Sequence, residues 1–373
     1  MKIAYLLSWE LGKQDGVTKK VYTQAEQWLK AGHEVRIFCI SKSVFTPSDK
    51  VPTFIVIRKS SKNIFSEFSH ISKAYKQIKA GLQDYSPDII YHRSEIYQPE
   101  LKQIMTSYPT VVEINTNDLT EFRELARKNL KGKIRYIYYN IIRDQYFSRA
   151  AGFCCVTNEI ASLKSFTKYS KPIEVVPNAL NPDKFRIENN SGTSSIPKLL
   201  FMGSPDQNWH GVDKILTLAN ATIGELQIEV IGPEKPKNIS LPKNINFHGY
   251  LKQAAYEEVL KTCDIGICSL ALHRNKMDEA CPLKTREYLA YGLPIIIGYK
   301  DTAFYESKPE WVLQLENNED NIKNNINRIV SFSKTYKNIR VEKKEISKYI
   351  DTQIFEKKRL DFLENIIHPV INS

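Results

Sequence analysis

Short runs of β-branched and apolar residues alternate along the chain with stretches whose apolar positions recur every three to four residues, and the alternation occurs twice. A strand buried on both faces reads as a continuous apolar run, and a crossover helix reads as an amphipathic stretch. The pattern therefore predicts βαβ units around parallel sheets. In the first half the predicted strands are 3–8, 34–40, 54–57, 89–91, 111–114, 152–156 and 174–176, with helical stretches between most of them. A second series follows at 198–202, 226–231, 245–247, 265–268 and 295–297. Between the two, 177–197 is bounded by prolines and contains the polar run 189–195, the composition of a linker. The expected fold class is α/β, with two Rossmann-like domains facing a central cleft. Residues 1–180 form the first domain, 181–350 the second, and 351–373 a helix that crosses back onto the first.

At 373 residues the chain is long enough for two domains, each with its own core. With 42% hydrophobic and 25% charged residues the composition is globular and excludes a disordered or fibrous chain. No apolar run approaches the roughly 20 residues of a membrane-spanning helix, and the opening heptad reads as a strand rather than a signal peptide. The cysteines, Cys39, Cys154, Cys155, Cys263, Cys268 and Cys281, form no C-x-x-C pair and sit mostly in apolar runs. They read as reduced, buried thiols of a cytoplasmic protein.

Charge changes this picture in one respect. Residues 1–180 hold 27 Lys/Arg against 17 Asp/Glu, so nearly all of the net +11 lies in the first half. That half is expected to meet something anionic. Arg123, Arg127, Lys128, Lys131, Lys133, Arg135, Arg143 and Arg149 share a helical stretch with Leu130, Ile134, Ile137 and Ile141 on one side. Such a helix either packs its apolar side on the sheet or lies against an anionic membrane, and both hold if its charged face touches lipid. Nucleic acid is not expected, because interleaved aromatics and recognised modules are lacking.

The densest chemistry lies at 278–294. Asp278-Glu279-Ala280-Cys281 leads into a helix expected to begin near Pro282, since proline suits a first turn. The free amides of Leu283, Lys284 and Thr285 and the positive end of the helix dipole would hold a diphosphate. Lys284 adds a charge in the same turn. Glu287, one turn on, would accept hydrogen bonds from two ribose hydroxyls. Glu279 precedes the helix and would face a sugar at the other end of the diphosphate.

Glu279 and Glu287, separated by seven residues and followed by Tyr288-Leu289-Ala290-Tyr291-Gly292-Leu293-Pro294, resemble the motif of the retaining, family 4 (group 1) glycosyltransferases with the GT-B fold. Val175-Val176-Pro177-Asn178-Ala179-Leu180-Asn181 is similar to that family's interdomain turn, with Ala179 and Asn181 in place of a usual glycine and aspartate. Leu200-Phe201-Met202-Gly203-Ser204 and His210-Gly211-Val212-Asp213 resemble the first strand and helix of its donor domain. The family commonly has an arginine where Ser204 stands and a lysine where His210 stands. Their replacement shifts phosphate binding towards Lys284, the helix amides and Arg274.

The resemblance implies transfer of a sugar, with retention, from a nucleotide-diphosphate donor to a saccharide or lipid-linked acceptor in surface polysaccharide or glycoconjugate synthesis. It places the base at His248-Gly249-Tyr250-Leu251, with Tyr250 and Leu251 as its apolar wall. In the first domain, Gly16 follows the first strand in the loop 12–16 and is expected on the donor. His92 is expected to bond a donor hydroxyl, and Glu113 or Asp118 to orient the acceptor. No D-x-D triplet occurs, so neither a metal nor another cofactor is expected. A sugar-nucleotide 2-epimerase of the same architecture is the rival enzymatic reading, and a basic non-enzymatic binding protein the other. Either way the protein is expected in the cytoplasm, at the inner face of the cell membrane if the basic helix meets lipid.

Overall fold

The computed structural model describes residues 1–369 other than 14, 97, 189–193, 206 and 238. The chain divides into two units: Met1–Pro177 with the chain from Thr352 onward, and Asn178–Asp351. Of the polar run expected as the linker, 189–193 lie outside the described residues. The division itself falls earlier, between Pro177 and Asn178.

In chain order the strands of unit 1 are β1 (Lys2–Ser8), β2 (Glu34–Ser41), β3 (Thr53–Ile57), β4 (Ile89–Arg93), β5 (Thr110–Ile114), β6 (Gly152–Cys155) and β7 (Ile173–Val175). Unit 2 continues with β8 (Lys198–Met202), β9 (Gln227–Ile231), β10 (Ile245–Phe247), β11 (Ile265–Ile267), β12 (Glu279–Ala280), β13 (Ile295–Ile297), β14 (Lys300–Asp301) and β15 (Val312–Gln314). The helices are α1 (Gly16–Lys30), α2 (Ile64–Tyr85), α3 (Pro99–Ser107), α4 (Asp118–Lys128), α5 (Leu130–Phe147), α6 (Asn158–Ser162), α7 (Lys164–Thr167), α8 (Val212–Ala221), α9 (Gln253–Lys261), α10 (Leu283–Ala290), α11 (Ile326–Thr335), α12 (Lys343–Ile350) and α13 (Thr352–Ile367).

Each unit is built on a parallel sheet, ordered β3-β2-β1-β4-β5-β6-β7 in unit 1 and β10-β9-β8-β11-β13-β15 in unit 2, with β12 and β14 forming a separate pair. Both large sheets are doubly wound, and the strand order reverses between β1 and β4 and between β8 and β11. Those reversals matter, because ligands of such sheets bind beyond the strand ends there. Three strands lie outside the sequence expectation. β15 has only three residues, and β12 and β14 two each, too few for a period of two to register.

In unit 1, Tyr5, Trp28 and Tyr91 pack their rings 5.2–5.4 Å apart. α13 closes over this core. Leu360, Phe362 and Leu363 join it, the Trp28 indole donates to Glu356 Oε2 at 2.8 Å, and Arg359 Nε donates to the Tyr91 hydroxyl at 2.9 Å. In unit 2 successive residues of β8 serve opposite faces of the sheet. Leu200 and Met202 pack with Tyr288, Leu289, Ile295 and Ile297, while Leu199 and Phe201 pack with Ile215, Leu218, Ile228 and Val230. α10 thus rests on one face with Tyr288 fully buried. It ends where Gly292 takes a left-handed φ of 74°, so that Gly292 N donates to Leu289 O and Leu293 N to Tyr288 O.

The basic stretch of the first half is two helices rather than one. α4 stops at Asn129, whose φ of −166° is extended and whose side chain caps α5 through Gly132 N at 2.8 Å. The two helices meet so closely that a Cβ on Gly132 would lie 2.0 Å from Leu125 O. The apolar stripe of α5 does not pack on the sheet: Leu130, Ile134, Ile137 and Ile141 are exposed, and the opposite side, with Tyr139, Tyr146 and Phe147, is buried. Arg143 is not on the basic face either. It is buried, clasping Asp118 through Nε and Nη2. The Lys128 side chain lies outside the description.

Candidate active site

Beyond the ends of β8 and β11, unit 2 brings together four of the expected residues. Gly203 follows β8, and its lack of a side chain is required, since a Cβ there would stand 2.6 Å from His210 Nδ1 and 2.6 Å from the Phe201 ring. His210 ends a short 3-10 turn, Asn208–His210, and is buried between the Phe201 and Trp209 rings with Nδ1 lacking a partner. Burial, and then the Lys284 charge, push its imidazole down to about 3. His210 is therefore neutral at physiological pH and adds no charge, unlike a lysine there. Ser204, the residue after Gly203, is exposed.

α10 begins at Leu283, with Pro282 as N-cap at ψ 141° rather than as the first helical residue. Proline offers no capping side chain, so the amides of the first turn remain unbonded within the helix. Lys284 projects from this turn, half-buried, with no hydrogen bond or ion pair among the described residues. Burial pushes its ammonium down to about 8, although Glu287 acts in the opposite direction. A partly desolvated cation beside free helix amides has the chemistry to receive an anion.

The remaining donor residues take several positions. Thr285 is buried, its hydroxyl bonded to the Tyr299 hydroxyl at 2.8 Å and set against Cys268 Sγ at 3.2 Å, so only its backbone serves the helix start. Glu287 is half-buried one turn on, and the Tyr256 hydroxyl donates to it. Glu279 lies in β12, paired with Lys300 of β14. Below that pair Arg286 and Asp301 form a fully buried ion pair. Tyr250 stands in solvent, whereas Leu251 leans on the core, so the two do not form one continuous wall.

Arg274 is engaged within unit 2. Its guanidinium is taken by Asp213, in a bidentate pair at 2.9 and 2.7 Å, and by Glu319. Two carboxylates neutralise it.

In unit 1 the expected residues are engaged by neighbours of their own unit. Glu113 is buried against Lys20 at 2.7 Å and Arg93 at 3.0 Å, with the Tyr91 hydroxyl at 3.0 Å. Burial alone would raise its carboxyl, but Lys20, Arg93 and Arg359 overcome this and hold it well below the usual range. Asp118 is spent on Arg143 and the Tyr139 hydroxyl, 2.7 Å away. Each carboxylate balances a buried cation that would otherwise stand alone. Gly16 opens α1, yet Asp15 caps that terminus by accepting from Thr18 N at 2.8 Å, and so places a carboxylate where an anion would sit. His92 is fully buried at the end of β4. Its Nδ1–H donates to Leu6 O at 3.1 Å, so the partnerless Nε2 carries the lone pair, and burial pushes the ring down to about 4. As a neutral ring it offers an acceptor and no charge.

Sequence reasoning missed three contributors. Gly232 has φ 99° and comes so close to the Gly203 turn that a Cβ would lie 1.8 Å from Gly203 O. The Ile-Gly-Pro that ends β9 was the available signal. Tyr288 accepts from Met202 N at 2.6 Å and donates to Ile267 O at 3.3 Å, which ties α10 to the ends of β8 and β11. Glu95 follows β4 at the reversal of the first sheet, where the Tyr75 hydroxyl donates to it and burial pushes its carboxyl up to about 7. Its spacing resembles no motif, so only the fold reveals it.

Among the described residues no group of three or more His, Cys, Asp or Glu side chains is gathered to hold a metal ion. No helix among them is long and apolar enough to cross a membrane.

Comparison with known proteins bears on the whole chain. Residues 14–184 match the family model described as Glycosyltransferase Family 4, and 196–331 the model described as Glycosyl transferases group 1. No curated protein matches the chain. Among solved structures it is similar to a sucrose-phosphate synthase from Thermosynechococcus elongatus, at 13% identity and a TM-score of 0.69 over 99% of this chain and 100% of that one. The lipopolysaccharide outer core galactosyltransferase WaaB is similar at 13% identity and 0.63, over 98% and 99% of the two chains. WaaG, a glycosyltransferase involved in lipopolysaccharide biosynthesis, is similar at 15% identity and 0.61, over 99% and 100%. The two family models together span most of the sequence, and the fold agrees: this chain belongs to the glycosyltransferases of family 4, group 1, with the GT-B fold.

Proposed function

We propose that the protein transfers a hexose, with retention, from a nucleotide-diphosphate sugar to a saccharide or lipid-linked acceptor in surface polysaccharide or glycoconjugate synthesis. The observation that carries this reading is the unpaired, half-buried Lys284 at the open start of α10, beside Gly203 and His210. The diphosphate sits there, on the first-turn amides and the ammonium. Glu287 receives the ribose hydroxyls and Glu279 the transferred sugar.

In transfer the bond from the sugar's anomeric carbon to the terminal phosphate oxygen breaks, and negative charge grows on that oxygen. The amides and Lys284 are aimed where the charge develops, which is electrostatic catalysis without reorganisation. The acceptor oxygen attacks from the face the diphosphate leaves, and its proton passes to the departing phosphate. Lys284 and the amides take the place of a metal, and transfer is expected to persist in a chelator. Peripheral contact of the basic first half with the inner face of the cell membrane belongs to the same reading.

Glu287→Ala removes two hydrogen bonds to a charged acceptor and is expected to weaken nucleoside diphosphate binding about 10–100-fold. Glu279→Ala should spare that binding and lower kcat about 100-fold. Calorimetry and initial rates separate the two. Unchanged values in both variants would contradict these roles.

A further inference from the structure

α5 has two apolar sides. Tyr139, Tyr146 and Phe147 pack inward, while Leu130, Ile134, Ile137 and Ile141 recur at i, i+4, i+7 and i+11 on the opposite side, 73, 41, 59 and 69% exposed. At 1.5 Å per residue the outer stripe runs about 16 Å, too continuous to be scattered surface residues. Lys131 and Lys133 flank it, one on each side. Nearby, Phe68 of α2 packs its ring on Tyr138 of α5 at 5.0 Å, and one turn earlier Phe65 is also exposed.

We propose that this outer stripe of α5 is a membrane-insertion face that seats unit 1 on an anionic lipid surface, with the helix lying in the interfacial plane. It names the element behind the peripheral contact stated above and rests on that contact, though not on glycosyl transfer. The charge pattern selects the occupant. A second copy of the chain, paired through the same stripe, would bring the flanking lysines of both copies into one interface with no carboxylate on the stripe to offset them, and like charges oppose that. Anionic headgroups accept the lysines while the acyl boundary takes the isoleucines. α5 is held for this by its inner side: Arg143 is locked to Asp118, and Tyr139 to the same carboxylate. Seating therefore needs no rearrangement of the helix.

The test is co-sedimentation of the full chain with phosphatidylcholine vesicles and with vesicles of phosphatidylcholine and phosphatidylglycerol at 3:1. Binding to the second is expected to exceed binding to the first at least about tenfold, and to fall in 0.5 M salt. The double variant Ile137→Glu, Ile141→Glu alters only exposed side chains and should keep its melting temperature and its nucleoside diphosphate affinity. Its partition onto the anionic vesicles should fall at least about tenfold. Lys131→Gln with Lys133→Gln should lower binding and flatten its salt dependence. Sedimentation of the isoleucine variant at the wild-type level would overturn the proposal. So would a wild type that ignores both vesicles but self-associates through the stripe. A protein that binds vesicles yet no nucleoside diphosphate would overturn the proposed transfer and leave this face standing.

Discussion

Lys284→Met is expected to weaken nucleoside diphosphate binding at least about 100-fold while making the free protein more stable. The two effects have one origin. The ammonium is partly removed from water and makes no ion pair among the described residues, Glu287 offsetting only part of its desolvation, so the free fold carries it at a cost. The depression of its pKa from 10.5 to about 8 expresses that cost. Below pH 8 the lysine is charged in both the folded and the unfolded chain, and the cost is borne in full. As pH rises from 8 towards 10.5 the folded protein sheds the proton first, and its relative stability recovers. Replacing the group by methionine removes the cost at neutral pH. Allowing for its partial exposure, this is worth about 1–2 kcal/mol, or about 4 °C in melting temperature for a unit of this size. Thermal unfolding and calorimetry of the same samples check both. A variant that loses stability together with binding would mark Lys284 as a packing residue instead.

The second large effect is structural and reaches the same site. Gly232→Ala is expected to cost more than about 3 kcal/mol and to lower the melting temperature by about 8 °C or more. Two causes add. The backbone there has φ 99°, which a side chain resists, and the new Cβ would lie 1.8 Å from Gly203 O. Neither side of that contact yields cheaply, because Gly232 N donates to Gly249 O at 2.7 Å and Gly203 N donates to Ile231 O at 2.9 Å. The Gly203 turn would shift, and donor affinity with it. Gly224→Ala supplies the control: φ is 84° there, but nothing lies within 4 Å of the added carbon. It should cost only about 1–2 kcal/mol and leave donor binding intact. Equal losses in both variants would show that the dihedral alone matters and that the Gly203–Gly232 approach does not.

What was legible in the sequence follows from where each signal resides. The strands of the first sheet, and those of the second apart from β15, announce themselves because a parallel strand such as β1 or β8 is a contiguous, mostly apolar run. The spacing of Glu279 and Glu287 and the glycine stop at Gly292 are likewise local. Side-chain partners are not. Glu113 and Asp118 looked like site acids because they lie at or just beyond a strand end, yet each is satisfied by cations from elsewhere in the chain: Lys20 from α1 and Arg93 from β4 for one, Arg143 from α5 for the other. Arg274 was offered as a phosphate ligand for its charge, and Asp213, 61 residues away, claims it. The stripe on α5 was visible as a period, but its direction was not. Amphipathic spacing tells which residues share a side, whereas only the buried Tyr139, Arg143 and Tyr146 opposite show that this side faces out.

The most direct measurement is a calorimetric titration of the full chain with uridine, guanosine, adenosine, cytidine and thymidine diphosphates and with the matching nucleosides, at pH 7 and pH 9. One diphosphate should bind at least about 100-fold more tightly than its nucleoside, and its affinity should fall about tenfold at pH 9 as Lys284 loses its proton, with no such fall in Lys284→Met. Diphosphates that bind no better than nucleosides, or a pH dependence that survives Lys284→Met, would contradict the assignment of the α10 start as the diphosphate site.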